Sequence, residues 1–311
     1  MGITNNFAKF LAAEKVNGSS FKRVLTIGRL NNFITLGVYK HLCRFLNISG
    51  NKSDDYINLF KSFSSAYKSN KYSENFFYEI LNSKEVKSVD ISSYEGADFI
   101  FDLNNNIDQK QLSLMGEFDA IIDGGSIEHI FDIKTLISNY SKLLKKGGNL
   151  YISTMANNHF GHGFYQFSSE FFFRTLNLKN GFQLKKVLLD IHKFPGPELS
   201  FGSNIYECIN PSKLNRRTLL FNKFSMLIVA AKKINIMKPN QYNKLKPVVQ
   251  FDYQENNKIE KKNRNIVEKI VLNHFPALLV NYLVGYYQLF CFYRIKKNFI
   301  KIKNILNIYE K

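Results

Sequence analysis

The sequence is poor in cysteine and has no tryptophan. Its three cysteines, Cys43, Cys208 and Cys291, are widely separated and form no Cys-x-x-Cys pair. An odd number at such spacings predicts neither a disulfide framework nor a zinc site, so free thiols and no metal are expected. The absence of Trp beside abundant Asn, Lys and Ile is typical of an AT-rich genome, so a single lysine carries little weight as a functional signal.

The chain also lacks the signatures of several classes of protein. Residues 1–7 contain no basic region followed by an apolar core, so we expect a cytoplasmic protein rather than a secreted one. No Gly-x-Gly-x-x-Gly follows the first apolar segment, which argues against a nicotinamide dehydrogenase. No RNA-recognition, zinc-finger or helix-turn-helix signature occurs, so nucleic acid is not an expected partner.

The apolar content is high enough for a large core. The 311 residues are 45% apolar, with 29 Phe and 17 Tyr, which excludes a wholly disordered chain. Residues 211–311 hold 20 Lys or Arg against 5 Asp or Glu, which is most of the net charge of +18. This asymmetry predicts a separate region that meets an anionic surface. We therefore predict a domain at 1–235 and a basic, amphipathic helical C-terminal region at 236–311.

The basic region contains an apolar, aromatic-rich run at residues 276–293. Five basic residues follow it, namely Arg294, Lys296, Lys297, Lys301 and Lys303. Three interpretations remain open: a helix packed on the protein or a partner chain, a helix in the interface of an anionic membrane leaflet, and a transmembrane span. The span is marginal because the run is short and contains Asn281, Gly285 and Gln288.

The most informative segment begins with an apolar run at residues 118–122. A run without polar alternation predicts a parallel strand that is buried on both faces. Asp123, Gly124 and Gly125 follow it, and the glycines allow a ligand to approach the main chain closely. In open α/β sheets the binding crevice lies outside the carboxyl ends of the strands. The segment from Asp123 to His129 is therefore predicted to line the mouth of a site.

Residues 118–148 contain FDAII, EHI and LLKKGG in succession, and resemble the fourth- and fifth-strand region of class I S-adenosylmethionine-dependent methyltransferases. Residues 24–28, 86–90 and 97–104 resemble the family's first, second and third strands, in the family's order. The resemblance covers about residues 20–230. It implies an α/β fold with a Rossmann-like seven-stranded sheet and flanking helices, to which we add a C-terminal helical extension. It also implies S-adenosyl-L-methionine as the cofactor.

The resemblance assigns cofactor binding to residues at the strand ends. Asp90 would accept hydrogen bonds from the ribose hydroxyls, and Asp102 would meet the adenine amino group. The acceptor geometry of a carboxylate suits a diol, which supports this role for Asp90. The alternative is a helix-cap or turn residue within Asp90-Ile-Ser-Ser. The full predicted cofactor set is Gly28, Arg29, Asp90, Ile91, Asp102, Leu103, Asp123 and Gly124.

The glycine-rich loop departs from the family pattern. In place of acidic-x-Gly-x-Gly-x-Gly, residues 26–32 are TIGRLNN, which keeps only Gly28. Asn32 tolerates left-handed geometry, whereas Leu30 does not, and Arg29 brings bulk and positive charge to the sulfonium end of the cofactor. Two explanations remain open: a branch with a rewritten loop, which we favour, and a weakened or lost cofactor site.

Two further parts of the fold can be predicted. The first and second predicted strands are too far apart for a single crossover helix, so a helical insertion is expected at about 47–82. Residues 181–190 and 224–231 are predicted as the sixth and seventh strands, which would form the antiparallel hairpin that ends the methyltransferase sheet. The loop at 195–203 between them is placed to close over an acceptor.

Three histidines are candidates for the base that methyl transfer to oxygen needs. The acceptor hydroxyl must be aligned with the sulfonium methyl, and a positioned base adds roughly two to four powers of ten in rate. His129 follows Glu128 after the fourth strand, and its alternative role is to pack against the cofactor. His159 and His162 follow the fifth strand, where glycines on both sides of His162 allow its ring to be exposed.

Residues 161–170, GHGFYQFSSE, resemble a loop of methyltransferase-like proteins from bacterial surface-glycan gene clusters. In those proteins the loop follows the fifth strand, where acceptors bind. The resemblance implies that Tyr165 stacks on a sugar and that Gln166 donates or accepts hydrogen bonds with it. The alternative is a loop that is pinned by its own aromatic residues.

We therefore predict S-adenosylmethionine-dependent O-methylation of a sugar, glycan or glycolipid precursor by a cytoplasmic protein that touches the inner membrane face. The predicted partners are the sugar or glycolipid acceptor and an anionic membrane, which the C-terminal region would contact peripherally. Two alternatives remain open. One is a catalytically inactive, membrane-associated partner protein, which the altered glycine loop favours. The other is an RNA methyltransferase, which only the charge of the C-terminal region suggests.

Overall fold

A computed structural model describes residues 2–48, 72–193, 202–210, 223–235, 279, 282, 286 and 299–309. Most of the predicted insertion at 47–82 and of the predicted C-terminal region lies outside the described residues. The strands are, in chain order, β1 (Gly2–Ile3), β2 (Arg23–Ile27), β3 (Asn31–Asn32), β4 (Glu85–Asp90), β5 (Phe99–Ile100), β6 (Phe118–Asp123), β7 (Leu144–Asn157), β8 (Phe182–His192), β9 (Ser203–Glu207), β10 (Ser225–Lys233) and β11 (Ile300–Ile302). The α-helices are α1 (Asn5–Val16), α2 (Leu36–Phe45), α3 (Gln109–Met115), α4 (Ile133–Leu143) and α5 (Ser169–Thr175).

Nine strands of the described residues form one mixed sheet in the order β11-β9-β8-β10-β7-β6-β2-β4-β5. The strands β2, β4, β5, β6 and β7 pair in parallel, whereas β10 runs antiparallel to β7 and β8. All seven predicted strands are present, and the predicted first to seventh strands correspond to β2, β4, β5, β6, β7, β8 and β10. Numbered in this way, they lie across the sheet in the order 3-2-1-4-5-7-6. The first five follow the doubly wound order of a Rossmann-like sheet, which confirms the predicted α/β class.

The predicted number of seven strands is wrong. Strand β9 pairs antiparallel with β8, and β11 pairs antiparallel with β9, with Lys301 opposite Tyr206. These two strands cover the edge of β8, whose backbone groups would otherwise be exposed for pairing with another chain. They have five and three residues, which is too short for a period-two pattern to be recognised in the sequence.

The central strands are buried on both faces, as the apolar run at 118–122 predicts. Val24 of β2 and Ile122 of β6 lie in the core cluster that includes α1 and α2. Leu25 and Ile121, the adjacent residues on the same strands, lie in the cluster that includes α4 and α5. Full burial of one such side chain contributes roughly 1.5–3 kcal/mol. This packing fixes the carboxyl ends of β2, β4, β6 and β7 along one edge of the sheet.

Strand β1 lies over the carboxyl ends of the central strands. It pairs in parallel with β3, and the Gly2 N–H donates to the Gly124 carbonyl oxygen at 2.8 Å. A Cβ atom at Gly124 would stand 3.0 Å from the Gly2 carbonyl oxygen and 3.1 Å from Leu30 Cδ2. The close approach that the glycine allows at this position is therefore made by the chain's own main chain.

The described end of the chain is not helical, in contrast to the predicted C-terminal helical extension. Residues 299–309 form β11 and a 3-10 turn at Ile305–Asn307. Ile305, Leu306 and Ile308 are buried in the core cluster that includes α1. Burial of these apolar side chains against α1 holds this segment on the sheet.

Of the predicted apolar run at 276–293, only Leu279, Tyr282 and Tyr286 are described. All three are helical and exposed, with the two tyrosine rings 6.2 Å apart. Among the described residues, no helix has the length and apolar character needed to cross a membrane.

Candidate active site

Asp123 ends β6 at the centre of the carboxyl edge and is fully buried. Its Oδ1 accepts hydrogen bonds from the N–H groups of Gly125 and Ser126 at 3.1 and 2.6 Å. Its Oδ2 accepts one from the Tyr140 hydroxyl at 2.7 Å. Burial raises the pKa of Asp123 to about 6, although these hydrogen bonds favour the charged form. Both carboxylate oxygens of Asp123 thus bond within the protein and hold the loop after β6, and its contact with a cofactor stays a prediction.

Glu128 lies in the 3-10 turn Ile127–His129 that follows this loop, and it is also fully buried. Its Oε2 accepts a hydrogen bond from the Thr154 hydroxyl of β7 at 2.7 Å, whereas its Oε1 has no hydrogen-bond partner among the described residues. Burial, followed by the charge of Asp123, raises the pKa of Glu128 to about 7. Sequence reasoning noted Glu128 only as the neighbour of His129 and missed Thr154, which carries no motif.

Two of the three predicted histidines meet at this edge. His129 Nε2 and His162 Nε2 are 3.2 Å apart, and the ring centroids are 4.8 Å apart at an interplanar angle of 64°. Both side chains are exposed to solvent. Burial and the neighbouring His162 lower the pKa of His129, which keeps its ring neutral near pH 7.

The loop that carries His162 is fastened to Glu128 through the main chain. The Phe164 N–H donates to the Glu128 carbonyl oxygen at 2.7 Å. Gly163 has φ +74°, and a Cβ there would stand 2.8 Å from the same oxygen. Gly161 also has a positive φ, of +82°. The tight geometry predicted for the two glycines around His162 is thus present, and it presents the ring to His129.

His159 is joined to this pair through the main chain, because its carbonyl oxygen accepts the His162 N–H at 3.1 Å. Its ring packs on Phe224 with centroids 5.5 Å apart, and its buried Nε2 has no hydrogen-bond partner among the residues that the structure describes. Its N–H donates to Gln166 Oε1 at 3.1 Å, and the Tyr165 hydroxyl donates to the Phe131 carbonyl oxygen at 2.9 Å. The polar groups of Tyr165 and Gln166 therefore hold their own loop, in agreement with the pinned-loop alternative.

A buried polar cluster that the sequence did not indicate adjoins His159. Asp190 and His192 of β8 have Oδ2 and Nε2 3.4 Å apart, and the Asn6 amide donates to the same Oδ2 at 2.8 Å. Within the described ranges, four atoms of this cluster have no hydrogen-bond partner, namely Asp190 Oδ1, the two ring nitrogens of His192 and Ser225 Oγ. Burial raises the pKa of Asp190 and lowers that of His192. The direction of β8 explains why this cluster lies near the site. Because β8 runs parallel to β7, its carboxyl end reaches the same edge of the sheet.

The predicted cofactor residues on the other side of β6 lie at adjacent strand ends. Gly28 has φ +70° directly after β2, and its N–H donates to the Val89 carbonyl oxygen at 2.8 Å. Asp90 is half-buried at the end of β4; within the described part of the chain its carboxylate accepts only the Ser92 N–H, at 3.2 Å. Ile91 beside it is exposed.

Asp102 and Leu103 follow β5. Asp102 Oδ1 accepts hydrogen bonds from the N–H and side-chain amide of Asn104 at 2.9 and 2.8 Å, and Leu103 is buried. Asn104 Oδ1 in turn accepts the Asp132 N–H at 2.9 Å. Asp102 is therefore fixed at the end of its strand, with the loop after β5 tied to the start of α4.

The charge of Arg29 is balanced within the protein. Its Nε lies 2.5 Å from Glu74 Oε1, and one terminal nitrogen donates to the Glu95 carbonyl oxygen at 3.0 Å. The guanidinium also lies over the Tyr72 ring at 4.0 Å. The Arg29 side chain thus links the segment before β4 to the loop after β4, and its guanidinium packs against these two segments.

No protein-family model matches the sequence, and no curated protein matches it. Solved structures with partial similarity include an S-adenosylmethionine-dependent methyltransferase from Thermotoga maritima, at TM-score 0.37 and 14% identity over 74% of this chain and 89% of that chain. An rRNA methylase from Streptococcus thermophilus has TM-score 0.32 and 13% identity over 73% and 95% of the two chains. An N-methyltransferase from Haemonchus contortus, solved with S-adenosylhomocysteine, has TM-score 0.35 and 14% identity over 73% of this chain and 52% of its own. All three of these structures are methyltransferases.

Proposed function

We propose that this protein is an S-adenosylmethionine-dependent methyltransferase that methylates a hydroxyl group of a sugar, glycan or glycolipid precursor. The observation that carries the proposal is the arrangement of one sheet edge. Asp90 and Asp102 end adjacent strands on one side of β6, and the His129–His162 pair lies on the other side. In a doubly wound sheet a nucleotide-like ligand binds across this edge.

The residues at the ends of β2, β4 and β5 fit the adenosine part of this cofactor. Gly28 lies directly after β2 with φ +70° and has no side chain to fill the space at this strand end. The Asp90 carboxylate has acceptor capacity for a ribose diol beyond its one hydrogen bond to Ser92. S-adenosylmethionine, when bound, would supply an electrophilic methyl group on its sulfonium.

The histidine pair is placed to act on the acceptor. A neutral imidazole accepts a proton, and the lowered pKa of His129 favours the neutral form at pH 7. His162 lies within hydrogen-bond distance of His129, so a proton taken by one ring is shared with the other. The pair is exposed, which leaves an approach for an acceptor as large as a sugar.

Calorimetric titration with S-adenosylmethionine and S-adenosylhomocysteine tests the proposal. We expect Asp90→Ala to remove binding, because the ribose would lose its carboxylate partner. Glu85→Ala is the matched control, since Glu85 begins the same strand at the opposite edge of the sheet and pairs there with Arg23. Equal binding by wild type and Asp90→Ala would contradict the assignment of the cofactor to this sheet edge. If folded wild-type protein gave no heat of binding, S-adenosylmethionine would not be its cofactor.

A second candidate function is a methyltransferase-like partner protein without transfer activity. It is favoured by the N-terminal strand, because Gly2 and Leu30 both reach contact distance of Gly124 and fill the space over the end of β6. This candidate predicts no cofactor binding in the same titration. This candidate would be supported if the wild-type protein gave no heat of binding while its circular dichroism spectrum showed it to be folded.

A further inference from the structure

Three potential metal ligands converge at the carboxyl edge from two different segments. One oxygen of Glu128 and one ring nitrogen each of His129 and His162 all lie within 4.8 Å of one another. Glu128 and His129 come from the turn after β6, and His162 comes from the loop after β7. The main-chain hydrogen bond from Phe164 to the Glu128 carbonyl oxygen holds the two segments in register.

The spacing of the two imidazoles suits a shared ion. At metal–nitrogen distances of about 2.0–2.1 Å, two nitrogens on one ion stand roughly 2.9–3.4 Å apart for bond angles between a right angle and the tetrahedral angle. The observed separation of His129 Nε2 and His162 Nε2 is 3.2 Å. The rings are inclined at 64°, so the nitrogens approach each other without the rings stacking.

Glu128 supplies an independent observation. Its side chain is fully buried, its Oε2 is held by the Thr154 hydroxyl at 2.7 Å, and its Oε1 has no hydrogen-bond partner in the part of the chain that the structure describes. A buried oxygen without a partner is costly in free energy, and a bound cation would satisfy it. The Thr154 hydrogen bond would then orient the ligand, as groups behind metal ligands commonly do.

We propose that Glu128, His129 and His162 bind a divalent first-row transition-metal ion, with Zn²⁺ as the reference ion. Two imidazoles and one carboxylate leave coordination positions open, which is the donor set of catalytic zinc sites and of non-haem iron sites. The exposed faces of both histidines direct the open positions to solvent and to an incoming acceptor. The cysteine spacing led to an expectation of no metal, whereas the ligands proposed here are two histidines and a carboxylate.

With the Nε2 atoms of His129 and His162 bound to the ion, the ion and not the histidine pair would act on the acceptor oxygen, a consequence that rests on the proposed methyl transfer. A hydroxyl bound to the cation has a lowered pKa and loses its proton to solvent. The oxygen then forms a bond to the methyl carbon, and the carbon–sulfur bond breaks with its electron pair left on sulfur. A second hydroxyl of the acceptor can take another open position, so the site would favour vicinal diols such as those of sugars.

The ion is tested by titrating metal-stripped, untagged protein with Co²⁺ and Zn²⁺ and without S-adenosylmethionine. We expect one ion per chain, seen as visible absorption of bound Co²⁺ that Zn²⁺ abolishes. His162→Ala and Glu128→Gln are each expected to weaken binding at least about tenfold, since even loss of a group behind a ligand has an effect of that size. His41→Ala, which removes an exposed histidine of α2, is the matched control and should bind as wild type does.

Two results would overturn the site. Folded wild type that takes up no ion would leave His129 and His162 as a hydrogen-bonded pair only. Equal affinity in wild type and His162→Ala would mean adventitious surface binding. Circular dichroism verifies that each variant is folded, and Glu128→Gln keeps the Thr154 hydrogen bond if His162→Ala misfolds. Because S-adenosylmethionine is absent, failure here is separate from failure of the cofactor titration.

Discussion

At the scale of single residues, the most consequential feature is a carboxylate buried under the candidate site. Asp123 holds the loop after β6 through its hydrogen bonds to Gly125, Ser126 and Tyr140. The same burial that makes these bonds strong also penalises the charge. The position of the following turn, with Glu128 and His129, depends on this one side chain.

Stability is expected to fall as the pH rises from about 4 to about 6. An unfolded Asp has a pKa of about 3.9, whereas burial raises the pKa of folded Asp123 to about 6. The folded state therefore binds the proton more tightly, so its contribution is complete below pH 4 and is lost as pH passes 6. Two pKa units correspond to roughly 3 kcal/mol. Urea unfolding across this pH range measures the effect.

Asp123→Asn is expected to flatten this part of the curve. The amide oxygen can still accept the loop N–H groups, and the amide nitrogen can donate to the Tyr140 oxygen. Part of the pH dependence will remain because burial also raises the pKa of Glu128, to about 7. Asp119→Asn, near the other end of β6, is the control and should keep the wild-type curve. An unchanged slope in Asp123→Asn would contradict the assignment.

At the scale of elements, the loop after β7 can be tested with two glycines that differ in one respect. Gly161 and Gly163 both have positive φ, but a Cβ at Gly161 meets nothing within 4 Å, whereas a Cβ at Gly163 would stand 2.8 Å from the Glu128 carbonyl oxygen. We expect Gly161→Ala to cost about 1 kcal/mol, the penalty of left-handed geometry alone. Gly163→Ala should cost more and should reduce transfer activity, because the loop must move away from His129. If the two variants had equal effects on urea unfolding and on activity, the clash at Gly163 would be relieved by a local shift that leaves His162 in place.

The terminal segment is a second element whose contribution is measurable. Leu306 is buried in the cluster with α1, whereas Ile300 of the same segment is largely exposed on the edge strand β11. Truncation of a buried Leu to Ala costs about 2–5 kcal/mol. We therefore expect Leu306→Ala to lower the midpoint of urea unfolding clearly and Ile300→Ala to change it little. Similar small effects would mean that residues 299–309 do not belong to the folded core.

At the scale of the whole molecule, the uneven charge predicts binding to anionic membranes. The protein should sediment with vesicles that contain phosphatidylglycerol and not with phosphatidylcholine vesicles. High salt should release it, since the Debye length falls from about 10 Å at 0.1 M to about 3 Å at 1 M.

Charge-matched variants test where the predicted membrane contact lies. Replacement of Arg294, Lys296 and Lys297 by Gln should weaken sedimentation. Replacement of Lys110, Lys146 and Lys179, which are exposed on the domain, removes the same charge and should not. Sedimentation with phosphatidylcholine as strong as with phosphatidylglycerol would contradict an electrostatic contact, as would equal loss in both triple variants.

Much of the sheet was predictable, whereas the partners within the site were not. The apolar run at 118–122 gave β6 because a strand buried on both faces has a local signature. The edge strands β9 and β11 have no such signature, since their short length hides any periodicity. Asp123 was predicted as a ligand contact from its place after the strand. That its oxygens turn inward follows from the position of Tyr140, which is 17 residues away.

The sequence by itself determined the α/β class and where the parallel strands lie along the chain, and it predicted the sheet edge at which a site would lie. These properties depend on local apolar runs and on the glycines and acids that follow them. Only the tertiary structure decided that His129 meets His162, 33 residues later, and that Asn6 reaches Asp190 across 184 residues. Contacts of such separation depend on how the layers pack and where each loop returns, and no local pattern encodes that geometry.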